Sequence, residues 1–233
     1  MEFQNELAKL GIDLTEKQSK QFEKYYQKLI EVNQVMNLTA ITEKEAVYRK
    51  HFLDSLEITR ALKNQKNYTL CDVGSGAGFP SIPLAIVKSD VQVTIIDALN
   101  KRVSFLQNLL KELGLDNVYA FHKRAEEFVK EKREAFDVVT ARAVAKLNIL
   151  AELCLPLTKV GGVFIALKGS AGTEEFLEAT NAIHLLGGKL LEVIDFVLPD
   201  EEEQRQILVF QKVKKTPPRY PRNFNKMKEK PLS

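Results

Sequence analysis

A glycine-rich loop between a predicted strand and a predicted helix constrains the fold of this chain more than any other feature. The loop reads Asp72-Val73-Gly74-Ser75-Gly76-Ala77-Gly78 and directly follows an apolar run. Glycines let the backbone turn sharply out of a strand and approach a ligand, because no side chain stands in the way. The next predicted strand ends at Asp97, about 20 residues later, where a carboxylate can accept both ribose hydroxyls of an adenosine. The pair predicts a Rossmann-like α/β fold with an adenosine site; a helix-capping role for Asp97 is the alternative.

Short apolar runs alternate with amphipathic helices from Tyr68 onward, which is typical of a parallel sheet with helical crossovers. A turn-forming stretch at residues 198–201 leaves no room for a helix between the last two runs, so we expect those two to pair antiparallel. Gly161 and Gly162 are expected to turn the chain into the fifth strand. The pattern predicts a seven-stranded, mostly parallel sheet with an antiparallel edge strand, over residues 69–73, 92–97, 118–122, 136–141, 162–167, 190–197 and 206–212.

Helices are predicted before the first strand. Thr15 with Gln18, and Thr42 with Glu45, have the spacing of capping boxes, so each pair predicts the start of a helix. The second of these helices is expected to run through His51 towards residue 60. The chain is therefore predicted to consist of N-terminal helices at residues 1–66, an α/β domain at 67–213 and a C-terminal tail at 214–233.

Positive charge is concentrated in the tail. Residues 214–233 carry seven Lys or Arg and one Glu, a charge of +6, whereas the whole chain carries +3. Because aromatic residues are interleaved with these cations, the tail predicts RNA contact, with a solubilising terminus as the alternative. Cys71 and Cys154 lie in apolar runs and allow neither a disulfide framework nor a zinc cluster. The two cysteines thus give no reason to expect a metal. Because the sequence has no membrane-spanning run and no secretory signal, we expect a cytoplasmic protein.

The loop departs from the dinucleotide fingerprint G-x-G-x-x-G, because Phe79 stands where the third glycine would be. The acid Asp72 before the loop, and a third glycine one position early, resemble instead the first motif of class I S-adenosylmethionine methyltransferases. In those enzymes the loop packs beside the methionine part of the cofactor. An NAD(P)-dependent oxidoreductase is the alternative for the loop and Asp97. A hydrogen bond at the end of the sheet is the alternative role for Asp72.

Several stretches of the chain, in unchanged order, resemble a single family. They are residues 37–41, 51–56, 72–83, 97–102, 124–126, 141–144, 167–169 and 219–222. Such a collinear series is far more specific than any one motif. It is similar to the bacterial ribosomal RNA small subunit methyltransferase G family, also called glucose-inhibited division protein B. Enzymes of that family methylate N7 of a guanine in the decoding region of small-subunit (16S) ribosomal RNA. The resemblance implies S-adenosylmethionine as cofactor and that RNA, a 30S subunit or an assembly intermediate as partner.

The resemblance also implies roles for individual residues. Cofactor contacts are expected at Asp72, Gly74, Ser75, Gly76, Gly78, Phe79, Asp97, Ala98, Leu99, Ala125, Glu126 and Arg142. By the resemblance, residues 97–99 lie on the adenosine, Ala125 and Glu126 lie beside the adenine, and Arg142 lines the reaction site. RNA contacts are expected at Lys168, Arg219, Arg222, Lys226 and Lys228. For Lys168, ordinary solvation is the alternative.

The chemistry implied by the resemblance needs no general base, because guanine N7 carries an in-plane lone pair and no proton. Catalysis then rests on aligning N7 with the methyl–sulfur bond where water is excluded. Arg142 is the candidate for positioning the guanine, since its planar fork matches the acceptor edge of the base. Its alternative is a surface arginine paired with Glu126 or another acid. His51 is a second candidate, with a packed or capping histidine as the alternative. A monomer is expected, and a non-catalytic RNA-binding assembly factor is a further alternative.

Overall fold

The computed structural model describes residues 3–62, 65–142 and 145–232. Within those residues, seven strands form one sheet: β1 Thr69–Val73, β2 Gln92–Asp97, β3 Val118–His122, β4 Phe136–Arg142, β5 Thr158–Gly169, β6 Gly188–Val197 and β7 Gln204–Lys212. Their order is β3-β2-β1-β4-β5-β7-β6. β1 to β5 pair in parallel, and β7 runs antiparallel to both β5 and β6. The predicted mixed sheet, with its antiparallel pair at one edge, is confirmed.

Helices precede the sheet and connect its strands. They are α1 Phe3–Lys9, α2 Glu16–Met36, α3 Lys44–Val47, α4 Asp54–Leu56, α5 Thr59–Leu62, α6 Ser81–Val87, α7 Asn100–Leu113, α8 Ala125–Lys132, α9 Leu147–Cys154, α10 Gly172–Leu185 and α11 Phe224–Glu229. None of these described helices is long and apolar enough to cross a membrane.

The two predicted capping boxes have different outcomes. Thr15 caps α2, and its side chain and that of Gln18 each accept the other's backbone N–H, as predicted. The Thr42 box is wrong, because the N-cap of α3 is Glu43. The Glu43 carboxylate accepts the N–H groups of Glu45 and Ala46 at 2.9 and 2.7 Å. A carboxylate satisfies two free N–H groups and carries a charge that favours the helix N-terminus, whereas a hydroxyl satisfies one.

The helix expected to run through His51 is not a single α-helix. Residues Tyr48–Leu53 form a π-helical turn between α3 and α4, and the N–H of Asp54 bonds to the carbonyl of Arg49, five residues earlier. Such single-turn insertions in helices often occur at functional sites. Here the turn places both His51 and Asp54 beside the same cavity.

Each face of the sheet carries its own apolar core. α1, α2, the π-helical turn, α6 and α7 cover one face, where Phe22, Tyr25 and Phe52 are fully buried or nearly so. α8, α9, α10 and the C-terminal residues Tyr220 and Met227 cover the other. Because both faces are covered, the parallel strands are apolar along most of their length, which is why they were recognisable in the sequence.

The fifth strand begins earlier than expected. β5 starts at Thr158, and Gly161 and Gly162 lie inside it rather than in a turn before it. The pairing of β5 with β4 shifts between Phe136 and Val138, and Gly161 has a φ of +90°. The two glycines therefore form a bulge within the strand, where a left-handed backbone is tolerated without a side chain.

Candidate functional site

The glycine loop leaves the carboxyl end of β1 with three left-handed residues. Gly74, Gly76 and Gly78 have φ values of +74°, +62° and +107°. A Cβ on Gly78 would lie 2.6 Å from Cδ1 of Ile82 and 2.7 Å from Oη of Tyr25. The Tyr25 hydroxyl, from α2, donates to the carbonyl of Ala77 at 2.7 Å. The N-terminal helices thus hold the loop in place, a contact that the helical pattern of α2 did not reveal.

Two buried oxygen atoms beside this loop lack partners among the described residues. Asp72 is fully buried, and its Oδ2 accepts from the Ser81 hydroxyl at 2.6 Å, but its Oδ1 is unpaired. The Ser75 hydroxyl is buried and unpaired as well. Burial raises the pKa of Asp72 to about 7, against the hydrogen bond from Ser81, which lowers it. Unsatisfied buried polar atoms are rare in proteins, so this arrangement is suited to a polar ligand at the loop.

Asp97 ties the loop to the turn after β2. Its Oδ1 accepts the N–H of Leu99 at 2.8 Å, and its Oδ2 accepts the N–H of Gly76 at 3.3 Å. The guanidinium of Arg102 lies 3.6 Å from Oδ2. Asp97 does not cap α7. The N-cap residue is Leu99, and no side chain forms a capping hydrogen bond there. The carboxylate is 3 % exposed and faces a cleft.

This strand-end cleft has a volume of about 120 Å³ and extends from the loop to α8. Five of the residues predicted to contact the cofactor line it: Gly74, Asp97, Ala98, Ala125 and Glu126. The other seven do not border it: Asp72, Ser75, Gly76, Gly78, Phe79, Leu99 and Arg142. Leu153 of α9 and Phe224 of α11 complete it, and sequence reasoning missed both. Its lining is Val73, Gly74, Ile96, Asp97, Ala98, Lys123, Arg124, Ala125, Glu126, Leu153 and Phe224.

Phe79 joins the loop to a second group of residues. Its ring stacks on His51 at 4.7 Å and on Tyr25 at 5.6 Å between centroids. The guanidinium carbon of Arg142 lies 4.8 Å from the same ring centre, within cation–π distance. The structure therefore brings together Phe79, His51 and Arg142, which are separated by up to 91 residues in the sequence.

Arg142, at the end of β4, is held by an acid that sequence reasoning did not select. Its Nη1 donates to Oδ2 of Asp54 at 2.7 Å, and Nη1 of Arg205 lies 3.5 Å from the other oxygen. Glu126, weighed as the partner of Arg142, lies instead 3.9 Å from Arg124. The Arg142 side chain is only 15 % exposed, so it is not a surface arginine. The remainder of its predicted motif, Ala143 and Val144, lies outside the described residues.

His51 is neutral, and its hydrogen bonds are satisfied. Its Nδ1 lies 3.1 Å from the carbonyl of Lys50, which can only accept, so we assign the proton to Nδ1. Its Nε2 then accepts from the Thr39 hydroxyl at 2.7 Å. Burial, and then the charge of Arg142, lower the pKa of His51 to about 4. Its lone pair is engaged, so His51 fits a positioning role better than that of a base.

A basic cavity of about 450 Å³ opens beside Arg142 and His51. Four basic and two acidic side chains line this cavity. The charge of Lys168 is neutralised by Glu175, whose Oε2 lies 2.6 Å from the Lys168 ammonium. The ammonium also donates to the carbonyl of Ala145. Nε of Arg205 is buried and unpaired among the described residues. The lining is Ile41, Lys50, His51, Asp54, Arg142, Leu167, Lys168, Gly169, Glu175, Phe196, Arg205 and Gln206.

The predicted RNA-binding residues of the tail fall into two groups. Arg219, Lys226 and Lys228 are exposed. Arg222 instead forms an ion pair with Glu152, whose side chain is 1 % exposed, at 2.6 Å. Their contacts with RNA stay predictions. Among the described residues, no group of three or more His, Cys, Asp or Glu side chains is placed to hold a metal ion.

Comparisons with known proteins agree with this geometry. The family model for rRNA small subunit methyltransferase G matches residues 18–208. A ribosomal RNA small subunit methyltransferase G of Lactobacillus johnsonii is 50% identical over 236 residues, covering 99% of this chain and 98% of that protein. The protein of the same name from Geobacillus thermodenitrificans is 51% identical over 233 residues, with the same coverage.

Solved structures of lower identity share the fold. Precorrin-6y C5,15-methyltransferase of Geobacter metallireducens superposes with a TM-score of 0.53 at 14% identity, covering 73% of this chain and 89% of that one. TrmN of Thermus thermophilus gives 0.56 at 16% identity, covering 69% and 48%. TYW2 of M. jannaschii, solved in complex with AdoMet, gives 0.51 at 20% identity, covering 67% and 74%. The predicted Rossmann-like class I methyltransferase fold is confirmed. By the match of its sequence along nearly its whole length, the chain belongs to the rRNA small subunit methyltransferase G family.

Proposed function

We propose that this chain transfers the methyl group of S-adenosylmethionine to N7 of a guanine in the decoding region of 16S ribosomal RNA. The observation that carries the proposal is the placement of Arg142 over Phe79. Phe79 ends the glycine loop, and Arg142 lines the basic cavity. A cofactor cradle and a cavity for an anionic substrate therefore meet at one aromatic ring.

The residues of the loop fit the proposed cofactor. The Asp97 carboxylate lies at the end of β2, where it can accept ribose hydroxyls. The unpaired oxygens of Asp72 and Ser75 suit a polar group such as the ammonium of the methionine part. Gly78 keeps the loop close to α6, because any side chain there would meet Ile82. When bound, this cofactor supplies an electrophilic methyl group on a sulfonium.

The basic cavity fits a guanine nucleotide. Guanine presents two acceptors, N7 and O6, on one edge, and arginine is the side chain most often used to recognise that edge. Arg142 and Arg205 both border the cavity, and Asp54 holds one guanidinium nitrogen of each. We infer that the guanidinium nitrogens of these two arginines that do not bond to Asp54 and are not buried bind the base or a phosphate.

The proposed reaction needs no proton acceptor. Among the described residues that line the basic cavity, His51 supplies the one imidazole, and its lone pair accepts from Thr39. His51 and Arg142 both pack on Phe79 and so fix the wall of the cavity next to the loop. Alignment of N7 by these residues, together with exclusion of water, accounts for the rate acceleration that the site has to provide.

Family membership favours this proposal over the two alternatives. The matching family model and the two relatives are methyltransferases, which disfavours an NAD(P)-dependent oxidoreductase. A non-catalytic assembly factor does not require the unpaired buried oxygens of the loop. The cytoplasmic location, the monomeric state and the domain boundaries at residues 66 and 213 stay predictions.

Incubation with methyl-labelled S-adenosylmethionine tests the function. The substrates are deproteinised small-subunit RNA and intact 30S subunits, both from a strain that lacks the enzyme, followed by nucleoside analysis. We expect label in 7-methylguanosine with at least one substrate, and the better substrate shows whether free RNA or an assembled particle is recognised. Label in a cytosine or an adenine, or no label in either substrate, contradicts the proposal.

A further inference from the structure

The C-terminal segment, residues 214–232, is packed against the sheet rather than extended into solvent. Tyr220 and Met227 are buried in the same apolar core as α8 and α9. The guanidinium of Arg133 donates to the carbonyls of Thr216 and Tyr220 at 3.4 and 2.5 Å. This segment is therefore part of the folded unit, although its composition is that of a basic tail.

An ion pair between Arg222 and the buried acid Glu152 fixes the position of the segment next to the strand-end cleft. Glu152 of α9 accepts the backbone N–H of Arg222 at 2.7 Å, Nε at 2.8 Å and Nη2 at 2.6 Å. Nη1 of Arg222 donates to the carbonyl of Lys230 at 2.9 Å, across α11. Asn223 caps α11 by accepting the N–H of Asn225. The backbone on both sides of Phe224 is held by these bonds.

Phe224 is thereby placed in the wall of the strand-end cleft. Its ring packs against the apolar core only in part, and it borders the cleft together with Leu153. Val73, Ile96, Ala98 and Ala125 supply further apolar surface to the same cleft. A partly exposed aromatic ring in a narrow, mostly apolar cleft is suited to stacking on a planar heterocycle.

The polar end of the cleft indicates which heterocycle would stack on Phe224. Asp97 borders the cleft at the end of β2, in the position of a ribose acceptor, and Ala125 and Glu126 begin α8. A base attached to a ribose at Asp97 would therefore extend towards α8 and α11. We propose that Phe224 stacks on the adenine of the cofactor, so that the C-terminal segment completes the cofactor site. This inference rests on the proposed use of S-adenosylmethionine.

Fluorescence provides a test, because the chain contains no tryptophan. In a Phe224→Trp variant, S-adenosylhomocysteine and adenosine should both quench the new indole, whereas homocysteine alone should not. Phe176→Trp is the matched control. Phe176 is another partly buried aromatic residue on the same core, with its ring tilted against that of Phe210 at 6.0 Å between centroids. It borders neither the strand-end cleft nor the basic cavity. Its fluorescence should not respond to adenosine.

Calorimetry on the full chain provides the second measurement. Phe224→Ala should raise the Kd for S-adenosylhomocysteine by roughly tenfold, the range typical of a lost base–aromatic stack. Phe176→Ala should leave it within about twofold. If the wild-type protein binds S-adenosylhomocysteine and Phe224→Ala binds it equally well, the inference is overturned and the proposed function stands. If the wild-type protein does not bind it at all, both are overturned.

Discussion

The segments before and after the sheet complete opposite ends of the same site in different ways. The N-terminal helices reach the glycine loop and the basic cavity with polar atoms: the Tyr25 hydroxyl, the His51 ring and the Asp54 carboxylate. The C-terminal segment contributes one apolar ring, Phe224, to the strand-end cleft. The ends of the sheet strands provide the loop and Asp97, which form the proposed adenosine site.

The difference predicts a division of effects. The polar contacts from the N-terminal side hold charged groups beside the substrate cavity, so their loss should reduce the rate of methyl transfer. The apolar contact from the C-terminal side borders the cofactor cleft, so its loss should weaken cofactor binding.

The largest effect is expected for Arg142→Ala. Loss of the guanidinium over Phe79 leaves the guanine without its proposed anchor, and misplacement of a reacting atom costs on the order of 100-fold in rate. The Kd for S-adenosylhomocysteine should change far less. Arg60→Ala is the control, because Arg60 pairs with Glu57 and borders neither cavity nor cleft. Equal rate losses in the two variants would show that the effect is not specific to the site.

Asp54→Asn should lower the rate by roughly tenfold, because Arg142 and Arg205 lose the charge that orients both of them. Unfolding measurements should also show a loss of about 1 to 3 kcal/mol, typical of a hydrogen bond to a charged group. Asp137→Asn separates the two effects. Asp137 bonds to Thr69 and Lys159 at the opposite end of β1, so this variant should lose stability and keep its rate. A rate loss in Asp137→Asn would show that stability alone explains the result.

Cofactor affinity should fall as the pH falls below 7. Burial holds the pKa of Asp72 near 7 in the free protein, so a cationic group at its unpaired oxygen has to displace a proton at lower pH. The expected loss between pH 7.5 and 6 is about eightfold. Conversely, the free protein should lose stability as the pH rises from about 4 to 7, because the native state binds the proton and the unfolded state does not. Calorimetric titrations and melts of Asp72→Asn should lack both trends.

The smallest effect is expected for the paired substitution of Lys226 and Lys228 by Ala. If the exposed lysines contact phosphates, the slope of log K against log salt for RNA binding should decrease by about one per contact. Removal of the whole segment would not test this, because Tyr220 and Met227 are buried. Substitution of Lys17 and Lys20 on α2, which are also exposed, is the control. An unchanged slope in the Lys226 and Lys228 variant would remove the C-terminal lysines from the RNA interface.

The sheet and the glycine loop could be predicted from the sequence because their signals are local. Buried parallel strands appear as short apolar runs, and a loop with positive φ values needs glycine. The start of α3 was mispredicted because two neighbours, Thr42 and Glu43, can both cap a helix, and the carboxylate does so. The π-helical turn could not be predicted, because the residues Tyr48–Leu53 are also compatible with an ordinary α-helix.

Contacts between distant segments could not be predicted. Arg205 lies on β7, and nothing in its surroundings in the sequence indicates that it shares Asp54 with Arg142. Phe224 stood out only as an aromatic residue among basic ones, a pattern that indicates nucleic acid rather than a cofactor cleft. The burial of Glu152, which pairs with Arg222, is equally hidden, because an acid in an apolar helix gives no indication of its partner.

The proposed mechanism is methyl transfer by positioning alone, without a general base. Its most direct test is the single-turnover rate of methyl transfer as a function of pH, measured with saturating S-adenosylmethionine and the better RNA substrate. Because the proposed acceptor, guanine N7, has no proton to lose and His51 has a pKa of about 4, we expect the rate to be constant between pH 6 and 8.5. A tenfold rise of this rate per pH unit anywhere in that range would reveal a proton acceptor and would rule out a mechanism without a general base.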